Sequence, residues 1–123
     1  MTRRWPRSRA SPTPPARRRQ RAATRKLLRS VFYKGMAAAI VEALEAARAV
    51  GHEQWLREHI AAELTEADAG SVERIVDGTA RHAVRRTAEM EAAAEMLTEL
   101  GVPPVMADAS RALHERLSAT HHP

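Results

Sequence analysis

Apolar residues between Arg25 and Gly51 recur with the period of a helix rather than a strand. Leu28, Phe32, Met36, Ile40 and Leu44 fall every four residues. Leu27, Val31 and Ala38 widen that stripe on one side, and Ala39, Ala43, Ala47 and Val50 widen it on the other. The spacing predicts a helix with one broad apolar face. Seven alanines between Ala37 and Ala49 favour helix and let neighbouring helices approach closely. Gly51 stands where a C-cap would end the helix, and Gly35 costs it about 1 kcal/mol relative to alanine. From Ala22 to Val50 such a helix would run roughly 43 Å. A small monomer cannot cover that length, so the pattern predicts a central helix shared with a second subunit.

Beyond Gly51 the pattern breaks into shorter helical segments. His52–Glu63 places Trp55, Leu56, His59 and Ile60 on one face. Thr65 to Asp68 has capping-box spacing, Gly70 breaks the chain, and Ser71 can cap a short helix with Val72, Ile75 and Val76 inward. Gly78 is expected to end or kink that helix. A second long helix is expected over Thr79–Leu100, with Ala83, Val84, Thr87, Met90, Ala94, Leu97 and Leu100 as its stripe. Arg85 and Glu89 form an i,i+4 pair, and the like-charged ridge of Glu91, Glu95 and Glu99 must face water. Gly101 and Pro103-Pro104 then force a link. The last helix, Val105–Ser118, turns Val105, Met106, Ala109, Leu113 and Leu117 inward. There are no strand signals and no internal repeat. The expected fold class is all-α, a long central helix with several shorter ones.

Charge divides the chain in two. Residues 1–41 carry +12 and no acid, whereas residues 42–123 carry −7. Residues 1–21 are rich in Arg, Pro and Ser, and Pro6, Pro12, Pro14 and Pro15 argue against helix there. With Trp5 as its one large apolar residue, this stretch is expected to be a disordered basic arm ahead of a helical domain over residues 22–120. The run from Arg17 to Arg21 could neutralise phosphates. The 123 residues allow one domain with a modest core, poor in aromatics. The absence of cysteine excludes disulfides and thiolate chemistry. No apolar run is long enough to cross a bilayer, and Arg3-Arg4 has no apolar stretch behind it, so a cytoplasmic location is expected. His52 and His59, two turns apart, cannot share one metal ion, and no metal site is expected.

Three stretches together carry a family likeness. They are KLLRSVFYKGM from Lys26 with Glu42-Ala43-Leu44 after it, GTARHAVRRTAEME from Gly78, and MLTELGVPPVM from Met96. In this order they resemble the C-terminal helical domain of NAD-binding 6-phosphogluconate dehydrogenase-like proteins, of the β-hydroxyacid dehydrogenase superfamily. The resemblance implies an all-α domain entered by a long inter-domain helix, paired in a homodimer and joined to a Rossmann domain that binds NAD or NADP. Aligning Glu42 with the family's glutamate places Lys26 on the catalytic lysine and Ser30 where better-known members have asparagine. The two side chains share one helix face. Oxidising a hydroxyl by hydride transfer also moves its proton, and a partly desolvated lysine can act as the general acid/base. His82, Arg85 and Arg86 would face a substrate carboxylate or phosphate. Lys34 is read as structural or at the rim.

A dinucleotide-binding unit needs G-x-G-x-x-G at a strand–helix turn. The five glycines, at 35, 51, 70, 78 and 101, are too scattered to form one. The chain is therefore expected to bind no cofactor alone and to be inactive without a Rossmann domain, which another chain could supply. The competing expectation is a dimeric helical interaction module whose basic arm binds nucleic acid or another polyanion.

Overall fold

A computed structural model describes residues 14–120. Five helices follow in order: α1 (Pro14–Ala49), α2 (Glu53–Glu66), α3 (Ala69–Arg81), α4 (Ala83–Glu99) and α5 (Val105–Thr120), with no strand among the described residues. The fold is all-α, as the periodicity predicts. Two compact units are present, residues 1–36 and residues 37–123, and α1 contributes to both.

The start of α1 corrects the sequence reading. Pro14 and Pro15 open the helix rather than preventing it, and residues 14–21 are helical. Proline is tolerated in a first turn, where its missing N–H would have had no helical partner. The rest of the expected disordered arm, residues 1–13, lies outside the described residues. At the other end Gly51 does what its position predicts. Its φ of 78° lets the His52 N–H return to the Ala47 carbonyl at 2.8 Å, which satisfies a carbonyl the helix leaves open. Gly101 ends α4 in the same way, with φ 77° and the Val102 N–H on the Leu97 carbonyl at 2.9 Å.

Other helix boundaries differ from those expected. Thr65 is inside α2, where its hydroxyl donates to the Ala61 carbonyl at 2.8 Å. The capping box is shifted by three residues. Asp68 is the N-cap, its carboxylate accepting from the Ser71 N–H at 3.1 Å, while the Ser71 hydroxyl accepts from the Asp68 N–H at 3.0 Å. Gly70 therefore lies in the first turn of α3 rather than breaking the chain. Gly78 neither ends nor kinks the helix. The break falls at His82, whose N–H reaches the Gly78 carbonyl at 3.0 Å, so the single helix expected from Thr79 to Leu100 is divided between α3 and α4.

The core of residues 37–123 is small and built from small side chains. α4 and α5 pack together most extensively. Ala46 of α1 joins Ala94, Leu97, Val102 and Ala107, with Leu100 against them. No large side chain is completely buried among the described residues. The α4 stripe is largely as expected, with Ala83, Ala94 and Leu97 buried, although Val84 faces out. On α5 the buried face is rotated from the one expected. Ala107 is buried, and Ser110, His114 and Leu117 are half-buried, whereas Val105, Ala109 and Leu113 are exposed. The small Ala107 permits the close approach to α4 that a bulkier residue would prevent. Two expected inward faces are open. Leu28 and Phe32 on α1 are exposed, as are Val72, Ile75 and Val76 on α3.

Candidate functional site

The residues expected to do chemistry fall into two groups, one in each compact unit. Lys26 and Ser30 stand one turn apart on α1, with Lys26 exposed and Ser30 half-buried. Their i,i+4 spacing on a continuous helix puts both on one face. Helix continuity from Pro14 also aligns Arg18, Arg21, Arg25 and Arg29, all exposed, at three- and four-residue intervals. Lys34 is exposed on the same helix.

His82, Arg85 and Arg86 come together where α3 passes into α4. His82 is half-buried at the break itself. Arg85 is exposed and paired with Glu89 at 3.4 Å, the pairing its spacing predicts. The Arg86 guanidinium donates to the Thr79 hydroxyl at 3.2 Å, tying the two helices across the corner. Arg86 also borders a cleft of about 470 Å³ with Arg74, Ser71, Glu63 and Glu66. Arg74 in turn reaches the capping box, donating to Asp68 at 3.3 Å and to the Ser71 hydroxyl at 3.0 Å. The cleft is thus mixed in charge, and Arg86 is its half-buried cation.

A second concavity, of about 480 Å³, is nearly all apolar. Its walls come from Ala43 and Ala47 of α1, Trp55 of α2 and Met90 and Met96 of α4, with Leu97 and Ala107 beneath. Trp55 was expected inward. It is exposed instead, stacked on His59 with ring centres 5.7 Å apart and edge-on to His52 at 6.5 Å. The α1–α2 corner above it is held by charge. Arg48 and Arg57 both donate to Glu53, at 3.1 Å, and hold its carboxyl down at about 2, Arg48 foremost. Among the described residues no group of three or more His, Asp or Glu is placed to hold a metal ion.

The residue that sequence reasoning missed is Glu42. Its two carboxylate oxygens accept from the Met106 and Ala107 N–H groups, each at 2.9 Å. These are first-turn donors of α5, which a helix leaves without partners. A capping side chain normally takes them, but Pro103-Pro104 precede α5 and offer none. Glu42 caps α5 from another helix, and its charge suits the positive end of the dipole. An uncapped helix after Pro-Pro, and a lone acid in an alanine-rich stripe, are the signals that point to this clasp.

Helices alone, a long leading helix and an alanine-lined α4–α5 core define a helical domain of the kind that accompanies a separate catalytic or cofactor-binding domain. A family model described as a domain of unknown function, DUF1932, matches residues 47–117. The chain belongs to that family, which is the C-terminal helical domain of NAD-binding 6-phosphogluconate dehydrogenase-like proteins. No curated protein and no solved structure matches. The matched span holds His82, Arg85 and Arg86, whereas Lys26, Ser30 and Glu42 precede it.

The residues present do not fit a dinucleotide. The two glycines with positive φ, Gly51 and Gly101, both follow helix C-termini. That end presents carbonyl oxygens and negative potential, the opposite of what a pyrophosphate needs. No helix among the described residues is long and apolar enough to cross a membrane.

Proposed function

We propose that this chain supplies the helical, substrate-side half of an NAD(P)-dependent β-hydroxyacid dehydrogenase-like oxidoreductase, with the cofactor held by a Rossmann domain outside these 123 residues. The family match over residues 47–117 carries this reading. In it, Lys26 exchanges the proton of the substrate hydroxyl. Ser30, one turn on, hydrogen-bonds a substrate oxygen, and Arg86, with Arg85 and His82 nearby, meets the substrate's anionic group. Lys26 is exposed, so the desolvation that sharpens a lysine for proton transfer would come from the surface of the cofactor domain. The helical half is then inactive alone.

Isothermal titration of the purified chain with NADH and NADPH tests this directly. The reading predicts no saturable uptake of either, and no oxidation of a panel of β-hydroxy acids. Micromolar binding of either dinucleotide, or turnover by the chain alone, would overturn it.

A further inference from the structure

Two apolar surfaces in this chain lack cover, and each has the shape and charge to fit the other. The first is the stripe on α1 formed by Leu27, Leu28, Val31 and Phe32, which are 63–75% exposed. Arg25 precedes Leu28 by three residues and Lys34 follows Val31 by three, so cations border the stripe on its own face. None of the ion pairs among the described residues uses Arg25, Lys26, Arg29 or Lys34.

The second surface is the apolar groove beside Trp55. Its few polar groups are already engaged. Both oxygens of Glu42 are held by α5, and the Ser110 hydroxyl lies 3.3 Å from His114 Nδ1. Nothing remains to orient a polar small molecule, as a specific ligand pocket requires. Acids stand at its edge. Glu89 is four residues before the lining residue Ala93, and Glu99 is three after the lining residue Met96. The body that carries the groove is acidic at −7, whereas α1 ahead of Glu42 has cations and no acid.

We propose that the groove of one copy seats the Leu27–Phe32 stripe of a second copy, and that the exchange is reciprocal. A twofold dimer follows, in which each protomer donates the basic, apolar first half of α1 and receives its partner's. The alanines of the α1 wall permit helix-to-helix approach at the usual 8–10 Å or so. Opposite charge at the rims steers encounter and fixes orientation. Stable interfaces take about 800 Å² from each partner. Four large side chains that are more than half exposed, with a groove on the same protomer, supply surface of that order. This inference stands on the two surfaces and does not depend on the dehydrogenase reading.

The test is analytical ultracentrifugation of the full chain at micromolar concentration, with helicity followed by circular dichroism. Val31→Glu alters the stripe and Trp55→Glu alters the groove. Both residues are well exposed, at 75% and 64%, so neither change threatens folding. The parent chain is expected to sediment as a dimer. Each variant should weaken dimerisation by about 100-fold or more with helicity unchanged. An equimolar mixture of the two variants should recover dimers, because the Trp55→Glu copy still offers an intact stripe to the intact groove of the Val31→Glu copy. A monomeric parent would leave the stripe to some other chain and overturn the proposal. So would a dimer that survives either substitution, or a mixture as monomeric as its components.

Discussion

The Leu97→Ala variant is expected to lose about 3 kcal/mol of stability, within the range found for deleting a buried leucine. Leu97 is 6% exposed and touches the cluster of Ala46, Ala94, Val102 and Ala107. Those neighbours are small and have no side chain with which to fill the space it leaves. For a helical body of this size the loss corresponds to a Tm lower by roughly 12–24 °C. Because small domains are only marginally stable, such a fall removes much of the total. Thermal unfolding followed by circular dichroism measures it. Leu113→Ala, at a site 44% exposed, is the control and should cost under about 1 kcal/mol. Equal losses at the two positions would mean that the α4–α5 seam is not the core.

The Glu42→Ala variant comes next, with an expected loss of about 2 kcal/mol. The substitution removes two charge-assisted hydrogen bonds at once, those to the Met106 and Ala107 N–H groups. Pro103 and Pro104 leave no neighbouring side chain to take over. Glu42→Gln keeps one acceptor oxygen at the same reach and should recover part of the loss. That graded order, parent above glutamine above alanine in Tm, distinguishes capping from simple packing. An alanine variant as stable as the parent would show that water caps α5 equally well.

The sequence discloses the helices better than their surroundings. Gly51 and Gly101 are legible because only a residue free to take positive φ ends a helix in that way. The division of α3 from α4 at His82 is not legible, since neither His82 nor its neighbours carry a breaker, while Gly78 does and is passed over. Pro14 and Pro15 mislead for a related reason. A proline forbids the interior of a helix but not its first turn, and the sequence does not say where the first turn falls. Periodicity marks Leu28, Phe32 and Trp55 as apolar, yet cannot tell a face that is buried within one chain from one left for another. Arg86 and His82 are legible only through their motif. Glu42 is passed over because a cap supplied from a helix some sixty residues away leaves no local pattern.

Joining residues 22–123 behind a β-hydroxyacid dehydrogenase Rossmann domain, and comparing turnover with Lys26 intact and with Lys26→Met, tests the central claim most directly. The account predicts cofactor-dependent oxidation of a β-hydroxy acid by the fused protein. Loss of the lysine should lower kcat by about 10²–10⁴-fold, the usual contribution of a general acid/base, with cofactor affinity unchanged. A fusion that binds NADH or NADPH yet turns over equally well with the Lys26→Met substitution, or not at all in either form, would contradict it.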